Sequence, residues 1–172
     1  MFGPSKKKYI PNLQIGFYLL LNLTKYKLLK NRIKKNEGYK NFAYFDQLGF
    51  PTIGYGHLIK PNEKIFFKQK FSKKFLLNIF NLDFNETAIQ YEKNYHKYHF
   101  SNNIRDVLFE MIFQLGINGQ KKFIKMNEYM KKKQVFMASL EMINSLWYNQ
   151  TPKRVDYLIN ILLKRHDEKK EK

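Results

Sequence analysis

Between residues 29 and 57 the spacing of apolar residues changes from steps of four to steps of two, which confines the chain to a mixed fold. Leu29, Ile33 and Glu37 share one face of a helix predicted from Lys25 to about Glu37, with Thr24 as its cap and Gly38 as its stop. From Asn41 the alternation Phe42, Tyr44, Asp46 and then Phe50, Thr52, Gly54 reads as two strands around a turn at Gln47-Leu48-Gly49. Gly54 and Gly56 flank Tyr55 and leave the backbone bare, so a ligand is expected to approach closely there.

Helical spacing takes over after an irregular connector from Pro61 to about Phe71. Ser72 is the expected cap of a long helix through Leu76, Leu77, Ile79, Phe80 and Ile89. Val107, Met111, Ile112 and Leu115 mark a second helix, ended by Gly116, and Phe123, Met126 and Met130 mark a third. Phe136, Leu140, Ile143, Leu146 and Trp147 mark one more, with core packing as the role of Trp147. Thr151 and Pro152 open the last helix, whose apolar face is Val155, Leu158, Ile159 and Leu162. The expected fold is α+β and mainly α, with a small β-hairpin lobe at about 38–71. A larger helical lobe covers about 72–163 plus helix 24–37, and the cleft lies between the two.

Composition narrows the chemistry. A chain of 172 residues can form one domain with a real core, or two small lobes sharing one. The absence of cysteine excludes disulfides and Cys-based zinc sites. Thirty-two Lys and Arg against 14 Asp and Glu leave a net charge of +18, which draws the chain to nucleic acid, anionic lipid or an acidic cell wall. The basic residues are spread through every segment, and the wealth of Lys, Asn, Ile, Phe and Tyr also fits an AT-rich coding sequence, so charge alone decides nothing. His96 and His99 lack a third ligand of matching spacing and read as surface residues.

Residues 1–23 combine a basic start, Lys6-Lys7-Lys8, with the apolar run Ile15 to Leu23. That order resembles a signal peptide or signal-anchor, yet no small-x-small cleavage site follows and Asn22 interrupts the run. An extension packed on the domain is the preferred reading, and an export or anchoring signal stays open beside it. The tail at 164–172 is charged.

Glu37, Asp46 and Thr52 fall within sixteen residues, at a helix end, a turn and a strand. Two carboxylates and a hydroxyl gathered by a Gly-rich hairpin suit glycoside hydrolysis, in which one carboxyl acts as acid and the other holds charge or water across the sugar. The segment Thr52-Ile53-Gly54-Tyr55-Gly56-His57-Leu58 resembles the Thr-x-Gly-x-Gly-His signature of phage-type lysozymes, glycoside hydrolase family 24. The spacings of nine (37 to 46) and six (46 to 52) are similar to that family's catalytic spacing. Phe113-Gln114-Leu115-Gly116 and Ser145 to Arg154 look like two further family blocks in the right order.

The resemblance implies a muramidase that hydrolyses the β-1,4 bond between N-acetylmuramic acid and N-acetylglucosamine in peptidoglycan, for host cell lysis. Glu37 would be the general acid, Asp46 the second carboxylate and Thr52 the residue that positions water, with inversion of configuration. A carboxyl separation of roughly 6.5–9.5 Å fits that outcome. Leu58 and Phe113 would bind saccharide; Gly54, Gly56 and Gln114 would support the site; Arg154 would face Glu37; and His57 would pair with Asp83 and tie the hairpin to the long helix. No cofactor, no metal and no specific nucleic acid are implied, and a monomer is the default. Peptidoglycan is the implied partner, with transient membrane contact through residues 1–23. Synthesis is expected in a host cytoplasm, with action at the cell wall or periplasm.

Departures from the family pattern are a shorter connector between His57 and Ser72, the N-terminal extension, and Met126 and Glu141 where polar sugar contacts would align. Two other readings are a catalytically idle, cationic binding or assembly protein of the same fold, and a virion-associated lysozyme. Retention of Glu37, Asp46 and Thr52 argues against the first; the second shares the chemistry.

Overall fold

The computed structural model describes residues 26–46 and 49–164. Thr24, Gln47, Leu48, the extension at 1–23 and most of the charged tail lie outside the described residues. Helix α1 (Lys27–Glu37) starts two residues later than expected and buries Leu29 and Ile33, the pair set four apart. Gly38, at φ 70°, turns the chain out of it. Strands β1 (Lys40–Phe45), β2 (Pro51–Gly54) and β3 (His57–Leu58) form an antiparallel sheet in that order. The expected hairpin thus gains a short third strand, and Thr52 sits on the central one opposite both Tyr44 and Leu58.

Two cores explain two lobes. Ile53, Ile59, Phe66 and Leu76 fill the small one beneath the sheet. The connector expected to be irregular supplies Phe66 from a 3-10 turn at Lys64–Phe67. Helix α2 (Lys73–Tyr95) then runs from one core to the other. Its cap is Ser72, whose hydroxyl accepts the Phe75 N–H at 3.2 Å. Leu76 on its first turns belongs to the small core, whereas Phe80, Phe84, Ala88, Tyr91 and Tyr95 belong to the large one. At 23 residues it is a strut about 34 Å long.

Helices α3 (Asn102–Lys121), α4 (Ile124–Lys131), α5 (Val135–Ile143), α6 (Leu146–Gln150) and α7 (Pro152–Leu163) enclose the large core. Gly116 stops the first helical stretch of α3 as expected: it leaves helical geometry at φ 68°, ψ 164°, and a second stretch runs on to Lys121. Glycine permits that positive φ without a Cβ clash. Three expectations need correction. The helix expected through Phe136 and Trp147 is two, because the Ser145 hydroxyl accepts the Tyr148 N–H (3.1 Å) and starts α6 afresh. The buried face of α5 is Ala138, Ser139 and Met142, while Phe136, Leu140, Ile143 and Leu146 are exposed. Small residues there let α5 lie close to α4 and α7, which turns the larger apolar stripe outward. Thr151 makes no side-chain cap; its hydroxyl donates to the Trp147 carbonyl at 3.1 Å, while Pro152 occupies the first turn of α7 as expected.

A buried charge cluster ties α1 to α3. Arg32 donates to Glu110 at 2.6 Å and to Asp106 at 3.2 Å, and Arg105 holds the other Asp106 oxygen. Glu110 is only 6% exposed, and burial pushes its carboxyl above the usual range even though Arg32 pulls the other way. Removing one partner of such a pair leaves an uncompensated buried charge. Arg32→Met should therefore cost about 3 kcal/mol in urea denaturation, and Arg32→Met combined with Glu110→Gln should recover most of that loss.

Candidate active site

Glu37 is the last residue of α1, so its side chain leaves the helix where Gly38 redirects the backbone. Its Oε1 accepts from Arg154 Nη1 at 2.9 Å, an ion pair reaching across 117 positions to the first turn of α7. Arg154 Nη2 also reaches the Asn36 carbonyl at 3.4 Å, so the guanidinium grips both the helix end and its terminal carboxylate. On its other side the carboxylate rests against Gly56, where a Cβ would lie 2.7 Å from Glu37 Oε2. Gly54 meets Leu76 in the same way, with a Cβ position 3.3 Å away. Both glycines have positive φ, 68° and 83°. The expected bare backbone is real: Glu37 packs against it at Gly56, which also lines the cleft between the lobes, and Leu76 packs against it at Gly54.

The sheet register builds the opposite wall. Residues paired directly across antiparallel strands point to the same face. Tyr44, Thr52 and Leu58 are paired in that way, and all three line one cleft. Thr52 is 5% exposed and donates its hydroxyl proton to the Phe50 carbonyl at 3.0 Å. Asp46 closes the hairpin turn: its Oδ1 accepts the Phe50 N–H at 2.8 Å, and its backbone carbonyl accepts the Gly49 N–H at 3.0 Å. Burial, then Glu37, then Asp46 raise the Tyr44 phenol above its ordinary pKa, so this ring lies in the field of both carboxylates.

Between the lobes lies a cleft of about 620 Å³. Glu37, Asp46, Thr52, Leu58 and Phe113 all line it, as do Gly56, His57, Asp83, Gln114 and Arg154. Phe113 and Gln114 come from α3, just before its break at Gly116. Trp147 is packed as expected, 4% exposed, and also orients Gln114 by donating its indole N–H to Oε1 at 3.1 Å.

His57, 7% exposed, stands between two carboxylates: Nδ1 meets Asp83 Oδ2 at 2.8 Å and Nε2 meets Glu63 Oε2 at 3.1 Å. Burial opposes its protonation and is the largest single influence, but Asp83 and Glu63 together outweigh it and hold the imidazole above its ordinary pKa. The link to Asp83 on α2 is the expected one. Glu63 closes the far side of the ring while also accepting the Lys60 N–H at 2.9 Å.

The phage lysozyme family profile matches residues 34–168. The chain belongs to the phage lysozyme family. Two relatives in Dictyostelium discoideum carry the names probable T4-type lysozyme 1 and probable T4-type lysozyme 2. The first is 30% identical over 163 residues, covering 78% of this chain and 92% of that protein. The second is 29% identical over 161 residues, covering 77% and 92%. Membership makes the chain a lysozyme-type glycoside hydrolase with the expected mainly helical α+β fold.

Within this phage lysozyme chain, the local trio and most residues suggested by resemblance meet in one place. Gly54 supports from behind, against Leu76, and does not line the cleft. Met126 is a core residue at 1% exposure, and Glu141 lies on α5 away from the cleft lining. Sequence reasoning missed Tyr44, Phe50, Lys60 and Glu63. Tyr44 stands two before Asp46 and Phe50 two before Thr52, so strand alternation itself held that signal. His96 is exposed and pairs with Glu92 at 2.8 Å, and among the described residues no three His, Cys, Asp or Glu are grouped to hold a metal.

Because the folded pKa of His57 lies above its unfolded value, its stabilising effect is complete below about pH 6.5 and is lost as pH rises through the folded value. The stability gap between the native chain and His57→Asn, measured by urea denaturation, should thus be larger near pH 6 than near pH 9.

Proposed function

We propose that this lysozyme is a muramidase that cleaves the β-1,4 bond between N-acetylmuramic acid and N-acetylglucosamine in bacterial peptidoglycan, with inversion at the anomeric carbon. One observation carries the reading: the end of α1 and the β1–β2 hairpin bring Glu37, Asp46 and Thr52 into a single cleft between two lobes. In this mechanism Glu37 is the general acid that protonates the leaving glycosidic oxygen, and Arg154 and Gly56 set the direction of its carboxyl. The Thr52 proton is engaged by the Phe50 carbonyl, so the hydroxyl oxygen turns lone pairs toward a water. Such a water donates one hydrogen bond to the Thr52 oxygen and the other to Asp46, which as base takes that second proton while the water oxygen bonds to the anomeric carbon and the leaving oxygen departs with the proton from Glu37. Asp46 is aimed for this task by the Phe50 N–H, which fixes the plane of its carboxylate.

The broader setting we propose is lysis of a bacterial wall. The enzyme would be made in a host cytoplasm, act on the wall as a monomer, and be drawn to that anionic surface by its charge of +18.

Release of reducing ends from purified peptidoglycan tests the reaction. Glu37→Gln should lower it by about 10³-fold with the melting curve unchanged, and retained activity would remove Glu37 as the acid. Thr52→Ala should depress kcat by roughly 10–100-fold with little change in KM, because its partner is the attacking water. Gly56→Ala should cost about 1 kcal/mol of stability, yet reduce activity far more than that loss explains, by pushing the Glu37 carboxylate off Arg154. An α-configured first product, seen by NMR, is the expected stereochemical outcome. Steeply salt-dependent DNA binding with no wall cleavage would instead favour the idle, cationic binding protein.

A further inference from the structure

The outward stripe on α5 is the feature the reaction does not use. Phe136, Leu140 and Ile143 follow one another at steps of four and three, which places them on one line along the helix. They are 63%, 42% and 45% exposed. Met137 and Leu146 beside them are 39% and 79% exposed. Scattered apolar residues on a surface call for no explanation, but five on one short helix and the start of the next form a patch. The opposite face of α5 is already satisfied by burial of Ala138, Ser139 and Met142, so the stripe contributes nothing to the core.

The chain leading into α5 is basic. Lys121, Lys122 and Lys125 lie at the junction of α3 and α4, and Lys131, Lys132 and Lys133 lead into α5. Against these six lysines the stretch 121–146 holds two acids: Glu128, paired with Lys131 at 2.7 Å, and Glu141. Exposed apolar side chains preceded in the chain by lysines combine the two attractions, apolar burial and charge, that hold a protein on an anionic membrane surface.

We propose that the outer face of α5, extended by Leu146, docks the enzyme on an anionic lipid bilayer. A second copy of the chain could cover the apolar side chains, but each copy carries +18 and repels the other. A nucleic acid or polysaccharide supplies negative charge without hydrocarbon for five apolar groups. An anionic bilayer supplies both: headgroups for the lysines and acyl chains for Phe136, Leu140 and Ile143. The contact lies on the surface, since α5 has nine residues and no helix among the described residues is long and apolar enough to cross a membrane.

The test uses the full chain and Phe136→Gln combined with Leu140→Gln, which leaves the net charge at +18 and so separates insertion from simple attraction. Co-sedimentation is measured with phosphatidylserine–phosphatidylcholine vesicles and with pure phosphatidylcholine vesicles. The native chain should bind the anionic vesicles, and the double variant should bind them at least about tenfold more weakly, with melting temperature and release of reducing ends unchanged. Equal binding of both proteins would reduce the interaction to charge and overturn the proposal, as would failure of the native chain to bind. A fall in melting temperature, or loss of a dimer in sedimentation velocity, would show that the chain's own residues or a second copy cover the stripe, and would overturn it equally. None of the binding readouts depends on the identity of the bond cleaved.

Discussion

The contact between the Glu37 carboxylate, the bare Cα of Gly56 and the guanidinium of Arg154 joins the end of α1, the sheet and α7 at a single point. It requires a residue without a Cβ on one side and a cation on the other. Positive φ at Gly54 also lets the chain serve two cores in succession as it leaves β2. Ile53 enters the small core, whereas Tyr55 enters the large one, its ring 5.6 Å from Phe80 and 5.0 Å from Tyr39. Two lobes are thereby held in register by three consecutive residues, and the cleft between them inherits that register.

Electrostatics follows the same economy. In a chain of +18 the acids are few, and several near the lobe junctions are matched with cations. Glu37 has Arg154, Glu110 has Arg32, and Asp83 and Glu63 share His57. The requirement is strictest at buried Glu110, where loss of Arg32 leaves a carboxylate cut off from most water and its counterion. The lysines outside them stay in solvent, where they set the field the molecule presents to anionic surfaces.

Much of the candidate site was legible because its chemistry is local. Glu37, Asp46 and Thr52 occupy sixteen residues whose spacing announces helix end, turn and strand, and those local rules hold in the folded chain. Ser72 as cap and Pro152 in the first turn of α7 were legible for the same reason: each acts on backbone groups a few positions away. Arg154, Phe113, Gln114 and Asp83 are far from the hairpin in sequence, and family resemblance pointed to them where periodicity could not.

Periodicity alone established that Phe136, Leu140 and Ile143 form an apolar stripe, and residue order that glycines flank Tyr55. Which way each feature faces was decided by tertiary packing. Small side chains at Ala138 and Ser139 allow neighbouring helices to approach most closely, so the larger stripe was left to solvent. At Gly56 the space was taken by Glu37 itself. A pattern along the chain records which residues share a face, because that depends only on the local helical or strand repeat. What covers the face depends on groups that arrive from elsewhere in the chain, and so is decided only when the chain folds.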